Sequence, residues 1–439
     1  MRSFVMSFVK SSDVFFMLVM LFLMSCSASG SFVNGRQVFN VMMEGAVGDG
    51  RTDDGEVFQR VWAMVCRTPS AIMYVPAEGR FSLPPSVFGG PCAPNLLLQV
   101  EGTIVALEGP ESGTGHHKSW LVFRNLRDFS VVGNGRINGK GNRWWSQVCR
   151  PSMKNCGPDS RPEEPPNGLV FQNSSNIRVS NLRIRDSPKF HLTFSNCDGV
   201  YATGLHITAP RDSPNTDGIH LTNSRNVFIL NCKIRTGDDC VSIQSGSNRV
   251  LIEDIMCGPG HGISVGSLGE SKSRACVWGI RVERAIFDRT TNGFRIKTWQ
   301  GGSGHAHGMR FVNSRMNRVH NPVVIDQYYC DSPTPCTNQT SAVAISEIII
   351  ANITGTSSSN SAVKIKCSDH VPCRNIVLQN IAVRTGPDQD LSNAHFSCWN
   401  AYGFISNITN PMSCALLPQP PLDTGLVDSS KPYQIPQGC

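Results

Sequence analysis

Three carboxylates and a histidine recur along this chain at a near-constant interval. Asn215-Thr216-Asp217 is followed by Gly237-Asp238-Asp239 and then by Gly260-His261-Gly262. Asp217 to Asp238 is 21 residues, and Asp238 to His261 is 23. A period of that size marks stacked supersecondary units rather than a compact globule. If each unit is one coil of a solenoid with a parallel sheet, equivalent positions on successive coils lie about 4.8 Å apart. Asp217, the Asp238-Asp239 pair and His261 then fall side by side on one outer face. Like charges crowded there push one carboxyl pKa up, which supplies an acid and a base in a single site.

The same period runs through the apolar pattern. Short runs rich in Val and Ile occur over 129–132, 177–184, 200–207, 227–234, 250–255, 280–286, 309–316, 345–353 and 376–383, with Asn and Gly between them. Several carry Asn three residues before a β-branched residue, as in Asn181, Asn231 and Asn380. Such Asn residues can hydrogen-bond from coil to coil at a turn. The pattern predicts a parallel β-helix beginning near Leu121. An antiparallel sandwich is disfavoured because no ladder of Asn-Gly hairpins accompanies the strands. Over 57–66 the spacing turns helical, with Phe58, Val61, Trp62 and Val65 on one side. A short amphipathic helix there would cap the open end of the solenoid, whose bare coil would expose core and sheet edge. The loop Gly45-Ala46-Val47-Gly48-Asp49-Gly50 lacks the Lys-Ser/Thr of a phosphate-binding loop. From about 398 the repeat fades, and an irregular tail is expected. The chain thus divides into a leader, 1–29, and one catalytic β-helix domain, 30–439.

The leader reads as a secretory signal. Arg2 and Lys10 are basic, 14–24 is apolar and too short to span a bilayer, and Ser25, Ser27, Ala28 and Ser29 suit cleavage. No further membrane segment is evident. Of 17 cysteines, removal of Cys26 leaves an even number that would mostly pair in an oxidising compartment. Cys240 with Cys257 and Cys367 with Cys373 are the expected local staples. No CxxC or HxxxH spacing favours a metal instead. Asn173, Asn338, Asn352 and Asn407 open N-x-S/T sequons, in keeping with a secreted glycoprotein. The formal charge of +7 suits an anionic partner. The chain has no basic arm, zinc pattern or aromatic-basic cluster of a nucleic-acid binder.

Cleaving a glycosidic bond by inversion takes one carboxylic acid to protonate the leaving oxygen and a carboxylate opposite to activate water. The three aspartates supply both. His261 can hydrogen-bond and tune a neighbouring carboxyl, and its flanking glycines allow close backbone approach to a ligand. Arg295 and Lys297 alternate with Ile296 and so share one face, where two cations suit a sugar carboxylate. Tyr329 can pack on a sugar ring.

Asn-Thr-Asp, Gly-Asp-Asp, Gly-His-Gly and Arg295-Ile296-Lys297, in this order, resemble the polygalacturonases, family 28 of the glycoside hydrolases. The opening from Phe39 to Asp54 and the stretch from Gly139 to Trp145 resemble plant members. Asn138, where many relatives have Asp, and Met42-Met43-Glu44 depart from that pattern. The resemblance implies a single-stranded right-handed parallel β-helix. It also implies inverting hydrolysis of α-1,4-galacturonan in pectin, with no metal or cofactor. By the same carry-over Asp238 is the general acid and Asp217 and Asp239 activate water. His261 supports the acid, and Asn215, Arg295, Lys297 and Tyr329 bind substrate. The expected setting is extracellular, at the cell wall, as a monomer acting on an acidic polysaccharide. Two rivals stay open: a calcium-dependent pectate-lyase-type elimination on the same fold, and a non-catalytic pectin-binding wall protein. Ideal coil spacing would place the carboxyls about 5 Å apart, nearer the retaining distance than the inverting one. Two adjacent aspartates would also need a bend to face the same way.

Overall fold

The computed structural model describes residues 31–107, 117–146, 164–332, 334–385, 394–408 and 416. The expected leader, residues 147–163 and nearly all of the chain after 408 lie outside them. The described chain is a right-handed parallel β-helix. Eleven strands stack into one sheet, from Ser86–Gly89 to His395–Trp399. The others form a second, 23-stranded sheet whose two lanes join at Ser303–Val319. That 17-residue strand pairs with both Arg274–Glu283 and Ile286–Asp288. The hairpin Ser31–Val33 with Arg36–Asn40 is antiparallel, and among the described residues every other strand ladder is parallel.

Register explains how the sequence builds this. In the eleven-stranded sheet Phe171, Phe194, Leu221, Ile243, Val265, Ile296, Ile325 and Ile365 lie opposite one another on successive coils. All are buried, and side-chain alternation sends their neighbours outward. The outward row is Thr193, His220, Ser242, Ser264, Arg295, Val324, Lys364 and Ser397. Asparagines close the turns. Asn352 donates to Asn313 at 2.7 Å, Asn380 to Asn352 at 2.8 Å and Asn407 to Asn380 at 2.6 Å. Asn181 and Asn231 occupy left-handed turn positions. Two of the four sequon asparagines, Asn352 and Asn407, are therefore donors within this ladder. Asn173 accepts from Asn196 at 3.1 Å, and Asn338 lies on an exposed loop.

A helix, Gly55–Arg67, caps the first coils. Its buried face is Phe58, Val61, Trp62 and Val65, as the spacing predicts. Trp62 meets Phe88, Phe123 and Phe129 with ring centroids 5.5–5.8 Å apart. Burial of four such side chains contributes roughly 1.5–3 kcal/mol each. The Cys66–Cys92 disulfide ties the helix end down.

Two boundaries differ from expectation. Parallel coiling starts at Arg36–Asn40, which pairs with Ile72–Val75, well before Leu121. The helix inserted between those strands stretches the first coil and hides its period. At the other end Ala401–Ile408 still pairs with Cys373–Thr385, so the coil continues past 398. Only Ala401 of that strand is buried. Among the described residues no further coil covers it, so it does not need the apolar alternation that marks the others.

The expected bridges Cys240–Cys257 and Cys367–Cys373 are present, together with Cys330–Cys336. Cys276 and Cys398 are also bridged. Cys197 and Cys232 are free thiols inside the core, where they pack as small apolar groups. No helix of the described residues is long and apolar enough to cross a membrane.

Candidate active site

The carboxylates do not sit on strands. Asp217 precedes the strand Ile219–Thr222, and Asp238 and Asp239 precede Val241–Ile243. His261 precedes Ile263–Leu268. Each comes from the same turn of three consecutive coils, which frees the Asp pair from strand alternation. Arg295 and Lys297 follow on the strand Asn292–Trp299, one coil beyond.

Backbone contacts lock these turns together. Thr216 Oγ1 accepts from Gly237 N at 3.0 Å, so the middle residue of Asn-Thr-Asp holds the next coil's loop. A Cβ on Gly237 would lie 1.9 Å from Ser213 O, which only glycine avoids. Gly262, at φ +94°, brings its backbone against the next coil, and a Cβ there would lie 2.2 Å from Asn292 O. That glycine serves coil packing rather than approach to a ligand. His261 N donates to Asp238 O at 2.8 Å, and the Cys240–Cys257 disulfide staples the same turn.

Asp239 is the most enclosed acid. Its Oδ1 accepts from Ser264 Oγ at 2.7 Å and Arg295 Nη2 at 2.9 Å, and Lys297 Nζ stands 3.4 Å from its Oδ2. Burial pushes its pKa up, but Arg295 and Lys297 more than reverse this and hold it below the ordinary carboxylate range. The two cations therefore neutralise Asp239 as well as facing the groove. Arg295 Nε also donates to Ser264 Oγ at 3.0 Å.

Asp217 lies in a different field. Burial raises its pKa, His220 pulls the other way, and the charges of Asp238 and Asp239 raise it further. Its Oδ2 accepts from Ser242 Oγ at 2.5 Å. His220 Nδ1 lies 2.8 Å from that same hydroxyl, giving a chain from His220 through Ser242 to Asp217. His191 supports Asp217 from beneath: its Nδ1 is 3.0 Å from the Asp217 carbonyl, and its Nε2 accepts from Ser187 N at 3.3 Å. This pairing gives a neutral ring with the proton on Nδ1. Burial lowers the His191 pKa to about 4.

Asp238 is the outermost of the three. Its side chain is 20% exposed, against 8% for Asp217 and 3% for Asp239. Its Oδ1 lies 2.8 Å from His261 Nδ1. That hydrogen bond raises the His261 pKa against the opposing effect of burial. Ligand atoms of Asp238, Asp239 and His261 lie within 4.8 Å of one another, close enough to hold a cation. With Arg295 and Lys297 already on Asp239, a divalent ion there would meet two like charges.

Tyr329 flanks the cations. Lys297 Nζ is 5.1 Å from its ring centroid, and Trp299 meets it edge-on at 5.5 Å. Its hydroxyl donates to Asp331 at 3.3 Å, and burial raises its pKa to about 12. Asn215 is exposed at a left-handed turn position beside Thr216. Asn138 Oδ1 caps its own turn by accepting from Lys140 N at 2.9 Å, away from the acids.

Clustered carboxylates beside a cationic pair, on the outer face of a parallel β-helix, form the acid–base set that glycoside hydrolysis needs. A family model described as glycosyl hydrolases family 28 matches residues 66–410. A polygalacturonase of Chamaecyparis obtusa is 44% identical over 387 residues, 87% of this chain and 73% of that protein. A polygalacturonase of Malus domestica is 45% identical over 344 residues, 78% of this chain and 73% of that protein. Among solved structures, an endo-xylogalacturonan hydrolase from Aspergillus tubingensis shares the fold. Its TM-score is 0.70 at 21% identity, over 86% of this chain and 100% of that one. The chain belongs to family 28 of the glycosyl hydrolases.

Proposed function

We propose that this chain hydrolyses α-1,4 bonds between galacturonate residues of pectin, with inversion at the anomeric carbon. The observation that carries this reading is the division of labour among three acids. Asp239 is held ionised by Arg295 and Lys297, Asp217 is buried with a raised pKa, and Asp238 stands outermost against His261. Asp238 gives its proton to the glycosidic oxygen as the C1–O bond breaks. Asp217 and Asp239 take the proton of a water that attacks C1 from the opposite side. Arg295 and Lys297, one on each side of Asp239, also present donors to a galacturonate carboxylate. Tyr329, beside Lys297, and Asn215, on the turn that carries Asp217, supply further contacts to the sugar in this reading. The names printed for the similar plant proteins support the substrate. The apolar leader and the disulfides support an extracellular, cell-wall setting, and a monomer suffices because every site residue comes from one chain.

Neutralisation of Asp239 disfavours the calcium-dependent elimination. The buried, costly carboxylate cluster disfavours a purely binding role, which would not need three acids held together. The test is the anomeric form of the first product, followed by proton NMR during early turnover of de-esterified galacturonan. Inversion yields the β-anomer first; initial α-anomer would refute the mechanism, and an unsaturated product would refute hydrolysis.

A further inference from the structure

The outward row that carries Arg295 does not end there. Val324 and then Lys364 follow it in register, while Lys297 is followed by Asp326, Lys366 and Trp399. Lys364, Lys366 and Trp399 are exposed, with Trp399 at 60%. With Tyr328 and Asp369 they line an open groove of about 590 Å³. This groove lies on the same sheet face as the acids, displaced along the helix axis.

Two coil steps separate Lys297 from Lys366. At 4.7–4.9 Å per step this is about 10 Å, roughly the length of two sugar rings in an extended chain. The groups there are arranged for an anionic ring. Lys366 Nζ sits 4.5 Å from the Tyr328 ring centroid, which positions the ammonium without cancelling its charge. Among the described residues Lys364 Nζ donates to the neutral Asn321 Oδ1, at 2.8 Å, and to no carboxylate. Trp399 is oriented by its Nε1–H, which donates to Asp369 Oδ1 at 2.8 Å. Asp369 lines the groove, held ionised by hydrogen bonds from Trp399 and Tyr328, and Asp326, in register beside Lys366, is engaged at its Oδ1 by Tyr328 N at 2.9 Å. Among the described residues neither lysine is within ion-pair distance of a carboxylate, so both ammonium groups stand unpaired in a groove with an aromatic wall.

We infer that Lys364, Lys366 and Trp399 form a distal subsite that reads a free sugar carboxylate about two residues from the bond being cleaved. The inference rests on the galacturonan reading above and extends it to pattern recognition. A methyl-esterified residue at this position offers the lysines no charge, so the subsite favours de-esterified stretches. Lys364 and Lys366 act as point charges, and Trp399 supplies apolar area to a ring face.

The experiment compares Lys364→Gln, Lys366→Gln and Trp399→Ala with the parent chain. Galacturonate oligomer binding is measured calorimetrically in an Asp238→Asn background, alongside steady-state hydrolysis of de-esterified and highly methyl-esterified pectin. Each lysine change should weaken oligomer binding and raise KM for de-esterified substrate by roughly fivefold, as expected for a partly exposed charge pair. The penalty should shrink on esterified pectin and at high salt. Trp399→Ala should weaken both substrates alike. Unchanged binding in the lysine variants, or equal losses on esterified and de-esterified pectin, would overturn the subsite. Absence of hydrolysis by the parent chain would instead count against the activity, and the binding measurements would still decide the subsite.

Discussion

Asp238 Oδ1 and His261 Nδ1 face each other at 2.8 Å across adjacent coils, within the turn stapled by Cys240–Cys257. The contact raises the His261 pKa above its ordinary value. A group whose pKa is raised on folding stabilises the fold fully below its unfolded pKa, and that contribution fades as pH rises through the folded pKa.

His261→Gln should therefore lower Tm most at pH values below the ordinary histidine pKa, with the difference from wild type narrowing as pH rises through the raised folded pKa. The same change should lower kcat by roughly 10- to 100-fold through loss of support for the proton donor. Thermal melts across pH and steady-state kinetics check both. A Tm difference that grows with pH would contradict the pairing.

His191 makes the opposite prediction. Its pKa is lowered to about 4 by burial, so its contribution is full above about 6.5 and lost as pH falls through about 4. Wild type should lose about 3 kcal/mol more than His191→Gln across that interval. Chemical denaturation at several pH values measures the slope.

Arg295→Met should leave Asp239 as a buried charge with only Lys297 and Ser264. Breaking such a pair costs about 3–5 kcal/mol when the remaining charge is buried. The Asp239 pKa is depressed in the folded chain, so the Arg295 contribution is present at neutral pH and lost as pH falls through that folded value. The stability difference should shrink in acid, and hydrolysis should fall at every pH.

Ser242→Ala removes the 2.5 Å hydrogen bond to Asp217 and severs its link to His220. Hydrogen bonds to a charged group contribute about 1.5–3 kcal/mol. With its ionised form less favoured, Asp217 should titrate still higher. The acid limb of the kcat/KM profile should move to higher pH, and a shift to lower pH would contradict the assignment of Asp217 to water activation.

The chemistry of this chain was legible because Asp, His and Arg stand at a solenoid's period, where few structural reasons place them together. The supporting groups were not. Ser242 and Ser264 read as ordinary outward residues between buried apolar ones, and only coil-to-coil register shows that each serves the preceding coil's acid. His191 and His220 sit in no distinctive motif, although each lies one coil from Asp217 or in its own coil. Thr216 was visible but its task, holding Gly237, was not. The start of coiling was masked by the helix Gly55–Arg67, and the last described coil lacked apolar alternation because nothing described lies beyond it. Adjacent Asp238 and Asp239 posed a difficulty only while they were placed on a strand; the turn before Val241 resolves it.

The most direct test is release of reducing ends from de-esterified galacturonan in the presence of chelator, for wild type and Asp238→Asn, with ultraviolet absorbance followed in parallel. The account predicts reducing ends from wild type, loss of at least about 100-fold in the variant, and no rise in absorbance. Calcium-dependent release with a rising absorbance, or an Asp238→Asn variant as active as wild type, would contradict it.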